Sequence, residues 1–139
     1  MHTNKVTNIL VIDGQGGKLG RQLIDSILSA FSNVNIIAVG TNSMATAYMV
    51  KSGVEGATGE NAVIVNSHHV DIIIGPIGIV IADSLLGEIT PAMAIAVGQS
   101  RAHRILLPMN KCGNTIAGFA TVTITKQIES TIETIRDLI

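Results

Sequence analysis

The amino-acid sequence predicts a three-layer α/β fold with a mostly parallel sheet of five or six strands. Short continuous apolar runs, typical of strands buried on both faces, alternate with segments whose apolar residues recur at helical spacing. Parallel strands need a long return connection, and that connection is nearly always right-handed. The alternation therefore indicates strands joined by crossover helices rather than by hairpins.

The first strand and the first helix are the most clearly marked elements. A continuous apolar run at Asn8–Ile12 ends at Asp13-Gly14 and predicts strand 1. Between Lys18 and Phe31 the apolar residues fall on one face, which predicts an amphipathic helix. The run Val34–Val39 predicts strand 2.

The elements that follow strand 2 are less sharply defined. Asn42 or Ser43 can cap a second helix. After that helix, either Val54–Ala57 is a brief strand followed by a helix from Gly59, or Ala62–Val65 is itself the strand. We favour the first of these two interpretations.

Two elements are expected in the middle of the chain. Asp71–Ile74 predicts a strand that ends at Gly75-Pro76. Ile77–Leu86 is expected to form a helix, although its β-branched residues reduce helix propensity.

The last third of the chain predicts two helices and two strands. Thr90-Pro91 is a strong start signal, because a capping hydroxyl precedes a proline at the first helical position. Arg104–Leu107 predicts strand 5, and Thr115–Ala120 predicts a sixth strand at the edge of the sheet. An isoleucine stripe between Ile124 and Ile139 predicts a final amphipathic helix.

Composition excludes several classes of function. The 139 residues carry nine basic and ten acidic side chains and only three aromatic ones, so neither a basic patch nor a stacking platform for nucleic acid is expected. The most apolar stretch, 72–82, contains glycine and proline and is too short to span a membrane. A single cysteine and a polar N-terminus indicate a cytoplasmic protein without disulfides.

Charged residues make up 14% of the chain, against about 25% on average, while apolar residues make up 47%. Polar side chains are therefore scarce for covering the surface of a small protein. We expect part of that surface to be shared in a homo-oligomer.

A glycine-rich turn between strand 1 and the first helix is the strongest functional feature. Gly14, Gly17 and Gly20 fit the spacing GxxGxxG, which resembles that of dehydrogenase-type Rossmann folds. The last glycine of GxGxxG is missing, because Leu19 stands there. Glycines let backbone N–H groups approach a phosphate, and a helix N-terminus adds partial positive charge. The sequence thus predicts a Rossmann-like fold that binds a nucleotide or dinucleotide phosphate, although tight packing of the strand on the helix is an alternative.

The cofactor stays open between NADP and NAD. The carboxylate that would bind a ribose hydroxyl after strand 2 is absent, since Gly40-Thr41-Asn42-Ser43 stands there. These small polar residues favour NADP slightly, yet no arginine or lysine accompanies them to bind a 2′-phosphate. Asp13 would repel a phosphate unless it binds loop amides, a ribose hydroxyl or a metal.

A second glycine-rich segment places Thr58 and Asn61 at the start of another helix, where capping and ligand contact are equally good interpretations. The predicted ligand-binding set combines this segment with the turn and with the residues after strand 2. It consists of Asp13, Gly14, Gln15, Gly16, Gly17, Lys18, Leu19, Gly20, Thr41, Asn42, Ser43, Thr58 and Asn61.

Neither a metal site nor a catalytic residue is assigned. The adjacent His68 and His69 cannot both face one ion in regular structure. Cys112 is a candidate nucleophile near Lys111, but a lone cysteine is more often a small buried hydrophobe. Asp83 and Glu88 are expected to be solvated helix ends rather than an acid/base pair.

Five segments carry a family resemblance. They are Ile9–Gly17, Gly40–Ser43, Gly56–Asn61, Asp71–Pro91 and Ala96–Ser100. On these segments the chain resembles, over roughly residues 8–119, a family of short bacterial proteins catalogued as a domain of unknown function. The resemblance implies a small cytosolic protein with a Rossmann-like fold, and it brings no established activity or site residue. Lys18-Leu19 and His68-His69 depart from the family pattern.

Two classes of function therefore stay open. The first is a Rossmann-like homo-oligomer that holds a phosphate-containing small molecule on the glycine-rich turn. The second is a structural or interaction module without catalysis, whose interface is built from Ile77–Leu86 or from the isoleucine stripe that begins at Ile124.

Overall fold

The computed structural model describes residues 5–109 and 113–139. The strands are β1 (Thr7–Asp13), β2 (Val34–Gly40), β3 (Glu55–Thr58), β4 (Ile72–Pro76) and β5 (His103–Leu107). The helices are α1 (Lys18–Ala30), α2 (Ser43–Val50), α3 (Glu60–Asn66), α4 (Pro91–Gln99) and α5 (Ile124–Leu138). A 3-10 turn at Ile77–Val80 follows β4.

The five strands form one sheet in the order β3-β2-β1-β4-β5, and every pairing is parallel. From β1 the chain adds β2 and β3 on one side and then returns to add β4 and β5 on the other. The direction of winding therefore changes between β1 and β4, which is where open α/β sheets bind ligands at the carboxyl ends of their strands. The predicted Rossmann-like α/β class is confirmed, with five strands.

Alternation along β1 separates two apolar clusters, one on each face of the sheet. Ile9 and Val11 point into the cluster that α1 and α5 cover, whereas Leu10 and Ile12 point into the cluster that α3 and α4 cover. All four side chains are essentially inaccessible to solvent. β1 is thus buried on both faces, as its uninterrupted apolar run predicts.

The expected helix at Ile77–Leu86 is wrong. Only the 3-10 turn forms, and the chain then makes tight turns in which Asp83, Leu85 and Leu86 have φ values of 65°, 55° and 57°. The Ser84 hydroxyl donates to the carbonyl of Gly78, and the Asp83 N–H donates to Ile89 O at 2.7 Å. These local bonds, together with the β-branched residues, compete with helical hydrogen bonding.

The expected sixth strand at Thr115–Ala120 is also wrong, because this segment is irregular and contains a turn. Gly118 has φ +78°, and the Phe119 N–H bonds to Ile116 O at 3.2 Å, which bends the chain away from an extended path. β5 is consequently the edge strand on this side of the sheet.

The helix start signals correspond to real caps. Asn42 Oδ1 accepts from the Ala45 N–H at 2.8 Å, so Asn42 rather than Ser43 caps α2. The favoured interpretation of the following segment is confirmed, since a short strand precedes a helix that begins after Gly59.

Replacing Thr90 tests how much the cap of α4 stabilises the fold. Thr90 Oγ1 accepts from the Met93 N–H at 3.1 Å and donates to Glu60 Oε1 at 2.6 Å. We expect Thr90→Ala to lower the free energy of unfolding by about 1 kcal/mol, measured by urea denaturation. Thr90→Ser keeps the hydroxyl and should stay within about 0.5 kcal/mol of the parent. Equal losses in the two variants would contradict the cap.

Candidate functional site

The glycine-rich turn leaves β1 at the carboxyl edge of the sheet. It is closed by a hydrogen bond from Gly17 N–H to Gly14 O at 3.0 Å. Gly17 has φ +75°, and a methyl group at this position would lie 2.7 Å from Ala45 O. Gly17 is therefore required for the close packing of the turn against α2. Gly16, by contrast, has open space in the direction of a side chain.

Asp13 holds the turn from within. Its Oδ1 accepts from the Gly14 N–H at 2.8 Å and its Oδ2 accepts from the Gly20 N–H at 2.7 Å, with only 6% of the residue exposed. Burial raises the pKa of this carboxyl, the two amide bonds lower it in part, and the charge of Glu88 raises it further. Of the roles considered for Asp13, the structure shows the contact with loop amides.

Glu88 is a site residue that the sequence analysis did not assign: the expectation that it is a solvated helix end is wrong, because no helix forms there and its carboxylate is held by hydrogen bonds. Its Oε1 accepts from the Gln15 N–H at 2.9 Å, from Thr41 Oγ1 at 2.5 Å and from Asn42 Nδ2 at 2.7 Å. We call these three donors the anion cradle. They come from the loops that follow β1 and β2, so Glu88 joins the two strand ends.

The hydrogen bonds of the anion cradle also decide the charge of Glu88. Burial alone would raise the pKa of this carboxyl, but the bonds from Thr41, Gln15 and Asn42 outweigh it and bring the pKa below its usual value. Glu88 is therefore ionised at neutral pH, and the anion cradle already holds a negative charge.

Part of the turn stays open. The N–H groups of Gly14, Gln15 and Gly20 bond to the carboxylates of Asp13 and Glu88. Within residues 5–109 and 113–139, the N–H groups of Gly16, Lys18 and Leu19 have no hydrogen-bond partner. Lys18 and Leu19 are the first residues of α1, where the helix dipole favours an anion.

The other predicted ligand-binding residues differ in whether they contact the turn. Asn42 contacts it directly, since Nδ2 also donates to Gln15 O at 3.0 Å, and Ser43 is exposed at the start of α2. Thr58 ends β3 and donates to Thr46 Oγ1 at 2.7 Å, while Asn61 is exposed in the first turn of α3. Gly59 is the N-cap residue of α3, and no side chain caps this helix, so neither Thr58 nor Asn61 serves as its cap.

A mostly apolar cavity of about 190 Å³ lies beside the turn, between residues that follow β1 and β4. Gln15 borders one side, Ile77 and Gly78 after β4 form another, and Leu85 and Leu86 belong to the loop beside it. A larger cavity of about 640 Å³ lies at the opposite edge, around the first residues of β1, β4 and β5. Of these two cavities, the smaller one lies at the edge at which α/β sheets bind ligands. A cavity of about 390 Å³ also adjoins the turn, lined in part by Gly16 and Lys18.

The histidines are separate from this site. His68 and His69 follow α3 at the amino-end edge of the sheet, with ring centroids 6.4 Å apart. Among the residues that the structure describes, no group of three or more His, Cys, Asp or Glu side chains is placed to hold a metal ion. Cys112 and Lys111 lie outside the described residues.

Within the part of the chain that the structure describes, no helix combines the length and the apolar character needed to cross a bilayer.

Removing the Glu88 carboxylate tests the anion cradle. Glu88→Ala leaves three donors without their acceptor, so we expect the free energy of unfolding at pH 7 to fall by about 2 kcal/mol. The pKa of Glu88 is lower in the folded protein than the usual 4.5, so its stabilisation is present above that value and fades as the pH falls through the folded pKa. Urea denaturation of parent and variant between pH 7 and pH 3 should show the two curves converging in acid. If parent and variant had the same free energy of unfolding at pH 7, or a difference that did not change with pH, the contact would be contradicted.

Comparison with known proteins gives a family and, among solved structures, a distant likeness. No curated protein matches the sequence. One similar solved structure is a dodecameric FMN-dependent UbiX-like decarboxylase from Escherichia coli O157:H7, with 18% sequence identity and a TM-score of 0.46 over 92% of this chain and 76% of that one. No residue, ligand or assembly is carried over from that protein.

The family match extends beyond the segments on which the resemblance was noted. A family model described as a domain of unknown function (DUF3842) matches residues 8–139, and the chain belongs to this family.

Proposed function

We propose that the protein binds a small molecule through its phosphate, as a nucleotide or dinucleotide, at the carboxyl edge of the sheet. The observation that carries this proposal is that the N–H groups of Gly16, Lys18 and Leu19, where α1 begins, have no hydrogen-bond partner among the residues described. Backbone N–H groups at the start of a 13-residue helix are suited to a phosphate. The exposed Lys18 side chain adds a positive charge at the same place.

The neighbouring contacts support an anion at this turn. Asp13 and Glu88 already direct carboxylate oxygens at three of its N–H groups, so the turn is built to present donors to negative charge. These carboxylates also limit the site: the N–H groups of Gly14, Gln15 and Gly20 are occupied and do not serve the ligand. The proposed phosphate position is therefore confined to the outer part of the turn.

The apolar cavity offers room for another part of the ligand. An engineered cavity of roughly 150 Å³ is known to accept benzene, so about 190 Å³ has room for one six-membered ring. NADP and NAD are the dinucleotides to test first, with Thr41, Asn42 and Ser43 after β2 near the path between their two halves. We assign no reaction, because no acid/base pair is directed into the cavity by the residues described.

Isothermal titration of the protein with NAD, NADP, FMN, ATP and inorganic phosphate tests the proposal. We expect at least one nucleotide to bind, and Gly16→Val to weaken its binding at least tenfold, because the new side chain projects where the phosphate approaches. Space is open at Gly16, so the variant should fold normally.

Gly98→Val is the matched control, since Gly98 also has open space for a side chain but lies in α4. It should bind the same nucleotide as tightly as the parent. Absence of binding across the whole panel, with folded protein, would refute the proposal.

Self-association is the second candidate, favoured by apolar side chains left in solvent. Leu86 is 88% exposed and Met44 is 72% exposed, both at the carboxyl edge of the sheet. The isoleucine stripe of α5 is not available for this purpose over most of its length, because Ile128 and Ile135 are buried against the sheet and α1. We therefore place the proposed contact at Leu86, with a second copy of the chain as the partner.

Sedimentation velocity at micromolar concentration examines this second candidate. The parent should sediment as an oligomer, and Leu86→Asp should shift it towards the monomer. Ser29→Asp, on exposed α1 surface, should leave the assembly unchanged. A monomeric parent would remove the candidate.

A further inference from the structure

The second carboxylate oxygen of Glu88 is unoccupied. All three donors of the anion cradle bond to Oε1, and no described residue donates to Oε2. Among the described residues the only fully buried side-chain polar atom without a partner is Gln127 Oε1, so Oε2 of Glu88 is not fully buried. One oxygen therefore fixes the carboxylate while the other keeps some access to solvent.

No cation among the described residues neutralises the charge of Glu88. Among the described residues the only ion pair joins Arg21 and Asp25 on α1, at 3.9 Å. Within the described residues, the charge of Glu88 is stabilised by hydrogen bonds to Oε1 alone. Oε2 can therefore still accept hydrogen bonds. A fixed, ionised oxygen of this kind binds hydroxyl or N–H donors and repels other anions.

The Glu88 carboxylate lies at the end of β2, where the residues that follow this strand in the sequence include no carboxylate. Its Oε1 contacts Thr41 and Asn42, the first two residues after β2, although Glu88 itself lies 46 residues further along the chain than Asn42. Its third contact is the N–H of Gln15, which is next to Gly16 in the proposed phosphate position. The free oxygen is thus beside the path of a ligand that leaves the turn towards the end of β2.

We infer that Glu88 is a specificity-determining residue that accepts hydrogen bonds from the free vicinal hydroxyls of a ribose in the bound ligand. This inference rests on the phosphate site proposed above and narrows its ligand class to nucleotides whose ribose hydroxyls are unmodified. A 2′-phosphate would bring a second negative charge towards Oε2, so NAD fits better than NADP. The slight preference for NADP that follows from the residues after strand 2 is thereby reversed.

The test compares three probes by isothermal titration: AMP, 2′,3′-dideoxyadenosine 5′-monophosphate and inorganic phosphate. The parent should bind AMP about 10- to 100-fold more tightly than the dideoxy compound, because hydrogen bonds to a charged group are lost. Glu88→Gln keeps an oxygen for the anion cradle and replaces the free acceptor by an amide donor. In this variant the ratio should fall to within about threefold, while inorganic phosphate, which has no ribose, should bind at least as tightly as to the parent because a nearby negative charge is removed.

Glu133→Gln, on the exposed face of α5, is the matched control and should keep the parent's ratio. A ratio that survives in Glu88→Gln would overturn the inference while leaving the phosphate site intact. Weaker phosphate binding in a folded Glu88→Gln would also overturn it, since the carboxylate would then act by holding the turn rather than by accepting from the ribose. If none of the three probes binds the parent, the phosphate site itself fails and the inference with it.

Discussion

The contact on which the functional edge depends is the binding of two carboxylates to the ends of β1 and β2. Asp13 bonds to the N–H groups of Gly14 and Gly20, and Glu88 bonds to donors from both strand ends. Unsatisfied N–H groups in a tight turn would carry a desolvation cost of their own. The carboxylates remove that cost and hold the turn in one shape, so that the start of α1 stays directed at the crevice.

The same contacts set the limit of the ligand site. A glycine-rich turn whose N–H groups were all free would accept a diphosphate along its length. Here the inner N–H groups are used by the protein, and the outer ones at Gly16, Lys18 and Leu19 are open. The protein therefore already places the carboxylates of Asp13 and Glu88 at this edge. A bound anion would have to lie beside these carboxylates, because the N–H groups that they occupy are not free.

Local patterns in the sequence predicted most of the fold. The buried run at Asn8–Ile12 and the caps at Asn42 and Thr90 act through neighbouring residues, so a single sequence displays them. The predicted helix at Ile77–Leu86 was wrong because the conformation of this segment depends on a hydrogen bond from the Ser84 hydroxyl to the Gly78 carbonyl and on the burial of Ile79 against distant parts of the chain.

Glu88 was missed for a related reason. Its partner Gln15 lies 73 residues away, and no periodic pattern links a carboxylate in one loop to an amide in another. The signal that existed was indirect, because Thr41 and Asn42 stand where an acid was expected. Where polar residues replace an expected carboxylate, they can be hydrogen-bond donors to a carboxylate from another part of the chain.

The absence of a side chain at Gly17 has an energetic consequence. With Ala45 O 2.7 Å from where a methyl group would be, α1 and α2 touch through their backbones, and neither helix start can shift without moving the other. A molecule entering this crevice meets donors whose positions were settled during folding. For the proposed ligand, little conformational entropy of the protein would then be lost on association, which favours tighter binding.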